Sequence, residues 1–283
     1  MIKIGFHVSI AGGISNAPRY AAQQGYSAFQ FFPSSSRSWS TKRVSTAEST
    51  EFSKISKEAG LIPFAHVPYL CNPASPVPEV LSKSRQMLVE DMNICRQLGV
   101  RYMVVHLGSH KGEGARKGIE NILDTIGHAL DECSEVELLL ENSAGYSNSI
   151  GATFTEIGSI LDNASSRRLG VCLDTCHAFA AGYDLGKEGG AGRLAEEIES
   201  SIGIARVKLV HLNDAKYPAG SGLDRHWHIG KGYIGEKGFL NFFRNVHPPS
   251  ESYILETPYA KEGDDTMNML EAKKLMRKAG MKL

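Results

Sequence analysis

A closed barrel of eight parallel strands wrapped by helices, a (β/α)8 α/β fold, is what this sequence predicts, and three observations carry that expectation. Eight short apolar or β-branched runs recur along the 283 residues, most of them near-continuous rather than alternating, as parallel strands covered on both faces require. Stretches with helical spacing and recognisable ends separate the runs. No Gly/Ser-rich linker, repeat or charge block divides the chain, so residues 1–283 read as one barrel domain. Units of about 35 residues suit closure, and a doubly wound open sheet is the competing arrangement.

The first run, Ile2–Val8, starts beside Met1 and shows no secretory h-region. The second is Ala28–Phe32. Ser45-Thr46-Ala47-Glu48 then has the form of a capping box, and Gly60 follows the helix it opens. Pro63–Val67 is the third run, and the helical stretch Val80–Leu98 reaches Gly99 just before the fourth, Tyr102–Leu107. Glu137–Glu141, Leu169–Asp174, Val207–Leu212 and Tyr253–Glu256 complete the set, and a last helix, Asp265–Ala279, ends at Gly280. The longer non-helical stretches (33–41, 68–78, 183–192 and 214–235) all follow strand ends. In a barrel they gather on one rim, where such folds keep their chemistry.

The charge balance removes one simple route to nucleic acid. Lys+Arg and Asp+Glu each number 31, so no global basic field exists, and a nucleic-acid partner would have to meet local cations or bound metal. The five cysteines, Cys71, Cys95, Cys133, Cys172 and Cys176, contain no C-x-x-C pair, which argues against a disulfide framework. Cys172 and Cys176 read as small buried hydrophobes. No apolar run approaches the roughly 20 residues that cross a bilayer. A soluble cytoplasmic protein is expected.

Metal-ligand side chains close six of the eight runs: His66, His106, Glu141, Asp174, His211 and Glu256. One such residue alone is ordinarily a solvated or hydrogen-bonded polar group. Six converging on one barrel mouth are different, because carboxylates crowded there without a cation would repel each other and raise their pKa values. Three more candidates lie just beyond: His177, three residues after Asp174, and the pair in Asp224-Arg225-His226. Alternate residues of an extended segment point the same way, so Asp224 and His226 can address one ion. A D-x-H pair alone is weak evidence; with His177 it can complete a separate site.

Longer motifs carry a resemblance. Gly5-Phe6-His7-Val8-Ser9 with Gly12-Gly13, then Leu173-Asp174-Thr175-Cys176-His177-Ala178-Phe179-Ala180-Ala181-Gly182-Tyr183-Asp184, resemble the endonuclease IV family of abasic-site endonucleases. So do His211-Leu212-Asn213-Asp214-Ala215-Lys216, Asp224-Arg225-His226, Ile229-Gly230-Lys231-Gly232 and Leu255-Glu256-Thr257-Pro258. The resemblance spans nearly the whole chain and implies a (β/α)8 barrel with three zinc ions. It implies that His66, His106 and Glu141 hold one ion. Glu141 would bridge to a second held by Asp174, His211 and Glu256, and His177, Asp224 and His226 would hold the third. The sequence departs from the family pattern at Val67 beside the first ligand and at Leu107 after His106, while Trp227-His228 occupies positions that vary within the family. Those positions bear on the tuning of the ligands, not on the ligands themselves.

The chemistry expected of such a site is hydrolysis of the phosphodiester 5′ to an abasic sugar, leaving a 3′-hydroxyl and a 5′-deoxyribose phosphate. Glu141, as bridging ligand, would support the metal hydroxide that attacks. Clearing of blocked 3′ ends is also implied, as are double-stranded DNA as partner and a monomer; whether manganese or iron takes the place of some zinc stays open. Three Zn2+ would add roughly six positive charges at the rim, offsetting the neutral sequence charge. By resemblance Arg37, Tyr69 and Leu70 would enter the gap left by the missing base. His7, Lys216, Arg225 and Lys231 are candidate phosphate contacts, against the plain alternatives of a buried histidine and solvated loop charges. A metal-dependent sugar isomerase or epimerase is the rival enzyme, and a non-catalytic DNA-damage binder the rival of another class.

Overall fold

The computed structural model of the chain describes residues 2–35, 38–40, 43–164, 166–250 and 252–283. Arg37 lies outside the described residues. The strands are β1 (Lys3–Phe6), β2 (Ala28–Phe31), β3 (Ile62–His66), β4 (Tyr102–His106), β5 (Glu137–Glu141), β6 (Leu169–Asp174), β7 (Val207–His211), β8 (Asp214–Ala215), β9 (His226–Trp227) and β10 (Ser252–Leu255). The helices are α1 (Asn16–Gln23), α2 (Thr46–Glu58), α3 (Pro78–Leu98), α4 (Ala115–Glu132), α5 (Phe154–Asn163), α6 (Thr175–Ala181), α7 (Gly190–Ser201), α8 (Gly235–Asn245) and α9 (Asp264–Lys278).

Eight parallel strands run in the order β1-β10-β7-β6-β5-β4-β3-β2, and β8 and β9 form a separate antiparallel pair. The ring closes between its two end strands through the parallel bridge His7–Gln30, with Val8 N donating to Gln30 O at 2.8 Å. Gly5 makes that seam possible: a Cβ there would lie 1.7 Å from the carbonyl oxygen of Ala28. The barrel predicted from the alternation of runs is therefore the fold.

The local signals act as read. Ser45 Oγ accepts from Glu48 N while Ser45 N donates to the Glu48 carboxylate, a complete capping box at the start of α2. Gly99 takes the left-handed conformation that ends α3. That helix begins two residues before the predicted start, with Pro78 in its first turn, where the missing N–H costs nothing. Val8, Phe32, Val67, Leu107, Leu212 and Glu256 each fall just past the observed strands.

Strand side chains alternate, and one face of each strand points into the barrel. Ala28, Phe64, Val104, Leu139, Cys172, Leu209 and Ile254 form the inner plug, all buried. A larger core fills the space between strands and helices. Each fully buried Leu, Ile or Phe of these layers contributes about 1.5–3 kcal/mol. Two residues beyond each plug residue stand Gln30, His66, His106, Glu141, Asp174, His211 and Glu256. The period of two that builds the plug thus stacks a polar layer on top of it, at the mouth.

Candidate metal centre

Glu141, fully buried at the end of β5, is the centre of the mouth. Its Oε2 lies 3.0 Å from His66 Nε2 and 3.4 Å from His106 Nδ1. Its Oε1 lies 2.9 Å from His211 Nδ1 and 3.4 Å from His177 Nδ1. His211 Nδ1 is also 3.3 Å from Glu256 Oε2 and 3.8 Å from Asp174 Oδ2. Potential ligand atoms of His66, His106 and Glu141 fall within 4.8 Å of one another, as do those of Glu141, Asp174, His211 and Glu256.

The third set is held from two sides. Asp174 caps α6 by accepting from His177 N at 2.8 Å, so one residue closes β6, starts the next helix and places His177. No helical period in the sequence marks α6. From the other side, the β8–β9 pair brings His226 over the mouth, its Nε2 3.5 Å from Asp174 Oδ2 and 3.4 Å from Asp224 Oδ1. His177 Nε2 lies 3.2 Å from the same Asp224 oxygen. Asp174 sits close enough to His177 and His226 to form a cluster with them, which links this set to the second.

Four of the imidazoles are anchored through one nitrogen and aim the other at carboxylates. His66 Nδ1 donates to Val67 O at 2.7 Å, His177 Nδ1 to Asn142 O at 2.9 Å, and His226 Nδ1 to Glu256 O at 3.1 Å. In His211 the anchor is Nε2, which donates to Gln30 Oε1 at 2.8 Å. Anchoring of this kind fixes the ring orientation and leaves the second nitrogen facing inward. The donor set fits zinc, which takes imidazole nitrogen and carboxylate oxygen. His226 Nε2 supports the fit further: it is buried and has no hydrogen-bond partner among the described residues.

The electrostatics reflect the crowding. Burial alone would raise Glu141, but the imidazoles of His106 and His211 and hydrogen bonds from His211 and His66 hold its carboxyl well below the usual range. Burial likewise opposes charge on His177, yet the carboxylates of Asp174, Asp224 and Glu141 raise it well above an ordinary histidine. His211 is raised too, against burial, by Cys172, Glu256 and Glu141. Burial pushes His106 down to about 4 despite Glu141 beside it.

The DNA-contact candidates divide. Tyr69 and Leu70 occupy the turn that Cys71 N closes on Pro68 O at 3.0 Å, with Tyr69 64% exposed beside the mouth. The Tyr69 ring lies 5.4 Å from Phe32 and 5.9 Å from His106. A cavity of about 500 Å³ lined by Tyr69, Leu70, His106, His177, Tyr146 and Asp224 opens there. Lys216, Arg225 and Lys231 are exposed on the loops around β8 and β9, and Lys216 Nζ sits 4.7 Å over the Trp227 ring. His7 faces the mouth, its Nδ1 3.0 Å from Gln30 Nε2.

Sequence reasoning missed three buried amides. Gln30 bonds His211, Glu256 and His7. Asn213 donates to Asp174 Oδ2 at 2.8 Å and accepts from Glu256 N at 2.8 Å. Asn142 exchanges hydrogen bonds with the Asp174 backbone, at 2.7 and 3.1 Å. The available signal was position: each is a lone amide at the end of an apolar strand or within two residues of a ligand.

Fold and centre together define a class, the xylose isomerase-like TIM barrels, whose family model matches residues 18–279. A probable endonuclease 4 of Methanoculleus marisnigri is 41% identical over 279 residues, covering 97% of this chain and 99% of that protein. A probable endonuclease 4 of Thermotoga maritima is 41% identical over 266 residues, 93% of each chain. Crystalline endonuclease IV from Thermus thermophilus superposes with a TM-score of 0.87 at 34% identity, over 98% of this chain and 99% of that one. The chain belongs to the endonuclease IV family. A D-tagatose 3-epimerase-like protein shares the fold alone, with a TM-score of 0.77 at 18% identity.

Proposed function

We propose that this protein is a zinc-dependent AP endonuclease of DNA repair that hydrolyses the phosphodiester 5′ to an abasic site. The products are a 3′-hydroxyl and a 5′-deoxyribose phosphate, and the same site trims blocked 3′ ends. The observation that carries this reading is the division of Glu141: one oxygen faces His66 and His106, the other faces His211 and His177. A carboxylate so placed suits two ions at once. His66, His106 and Glu141 would hold the first ion, Glu141, Asp174, His211 and Glu256 the second, and His177, Asp224 and His226 the third.

Bound zinc would supply a nucleophile at neutral pH and stabilise charge on the phosphoryl and leaving oxygens. The chain's own residues do the rest. The anchored imidazoles keep one nitrogen each aimed inward, so little reorganisation is needed as charge develops. Asp224, half exposed at the rim, stands where a phosphate enters the third set. Lys216, Arg225 and Lys231 contact flanking phosphates, and Tyr69 and Leu70 hold the gap where a base is missing.

An abasic nucleotide is already unstacked, so drawing it into the mouth costs less than flipping a paired base. The substrate is duplex DNA, met by a monomer whose bound ions supply the positive field that its balanced side-chain charge lacks. Incubation with a duplex carrying one abasic site, with product ends mapped before and after chelation, tests the proposal. Metal-dependent 3′-hydroxyl ends support it; a β-elimination product, or cutting indifferent to chelation, contradicts it. The Asp224–His226 pair with His177 favours this reading over a sugar isomerase, which needs no third set.

A further inference from the structure

Gln30 is fully buried at the end of β2, in the polar layer at the mouth, yet offers no atom suited to zinc in this company. Its amide touches three groups of that layer. Nε2 lies 2.7 Å from Glu256 Oε1 and 3.0 Å from His7 Nδ1, and Oε1 lies 2.8 Å from His211 Nε2. Chemistry fixes which end of the amide faces which partner. The Glu256 carboxylate only accepts, so the amide nitrogen must face it and the oxygen must face His211. Both amide protons are then used, one on Glu256 and one on His7. The oxygen in turn requires a proton on His211 Nε2.

We propose that Gln30 is a positioning residue that sets the His211 tautomer and the Glu256 orientation so that His211 Nδ1 and Glu256 Oε2 face one ion. With Nε2 protonated, the only lone pair of the neutral His211 ring is on Nδ1. That atom lies 2.9 Å from Glu141 Oε1 and 3.3 Å from Glu256 Oε2, in the cluster assigned to the second ion. By holding Glu256 Oε1, the same amide leaves Oε2 turned toward Nδ1. His7 becomes the outer end of this strap, its ring packed 4.2 Å from Phe32, with Nδ1 committed to accepting from Gln30. The inference rests on the metal-centre reading but not on nuclease activity.

Gln30→Met keeps the side-chain length and removes every hydrogen bond. Competition of zinc-loaded protein against a chromophoric chelator reads affinity, and two-bond 1H–15N spectra of the histidine rings read tautomers. The natural protein is expected to bind zinc with the His211 proton on Nε2. In Gln30→Met one of the three zinc affinities should fall by about ten- to a hundred-fold, with the other two unchanged. A purely structural role would move the unfolding temperature without this selectivity. Unchanged zinc affinities in Gln30→Met would overturn the inference. If the variant does not fold, the natural protein decides: a proton on Nδ1 of zinc-loaded His211 overturns the inference, and one on Nε2 supports it. A natural protein that takes up no zinc overturns the metal-centre reading and this inference with it.

Discussion

Asp174 Oδ1 accepts a hydrogen bond from His177 N at 2.8 Å, so the carboxylate that closes β6 is also the cap of α6. Its other oxygen accepts from Asn213 at 2.8 Å and points toward His226 and His211. One side chain therefore couples helix initiation to the geometry of two clusters of potential metal ligands.

That coupling can be separated by substitution. Asp174→Ala removes the cap, worth about 1 kcal/mol, and leaves Asn213 without an acceptor. Asp174→Ser restores a capping oxygen but no inward carboxylate. In metal-free protein, the alanine variant should unfold at lower denaturant than the serine variant. Both should bind less zinc than the natural chain. Equal zinc content in all three would exclude Asp174 as a ligand.

Zinc uptake should release protons. His177 is shifted above the ordinary histidine range by Asp174, Asp224 and Glu141, and His211 by Cys172, Glu256 and Glu141, so protons compete with zinc for both rings. Glu141 is held low and is already ionised. Zinc must displace the histidine protons, so affinity rises with pH across the neutral range. Titration of zinc into weakly buffered metal-free protein should acidify the solution; absence of proton release contradicts the assignment of these two ligands.

Asp91, buried on α3, receives a hydrogen bond from Ser34 at 3.2 Å, while its Oδ1 has no hydrogen-bond partner among the described residues. Burial, only partly opposed by that hydrogen bond, raises its pKa to about 8. An unfolded aspartate ionises near about 4, so folding costs progressively more as pH rises from there to about 8, and the cost is constant above. Asp91→Asn should therefore stabilise the protein at pH 8 and have no effect near pH 3. Denaturant unfolding of both chains across that range checks the sign.

Tyr69, exposed, and Leu70, partly buried, occupy a turn beside the mouth and line the same cavity as His106 and Asp224. Tyr69→Ala or Leu70→Ala should weaken binding to abasic duplex by roughly five- to a hundred-fold, on the scale of about 1–3 kcal/mol per stacked contact. Zinc content should stay unchanged. Loss of zinc in either variant would place these residues in the metal site instead.

Most of the barrel was legible because parallel strands buried on both faces leave continuous apolar runs, and a ligand after such a run is conspicuous. His66, Glu141 and Asp174 stood out for that reason. Gln30 did not, since in Ala28-Phe29-Gln30-Phe31 an uncharged amide reads as a minor interruption. Its role depends on His211 and Glu256, which only closure of the ring brings beside it. Helix α6 was hidden because Thr175 through Ala180 are all buried, so no polar face marks a helical period. The β8–β9 pair has two residues a side, too few to show alternation.

The measurement that bears most directly on the central claim is the zinc content of the purified protein, determined by elemental mass spectrometry after stripping with chelator and reloading. Three tightly held zinc ions per chain are predicted, falling to two in His226→Ala. A chain that holds none, or a His226→Ala variant with the full complement, would contradict the account.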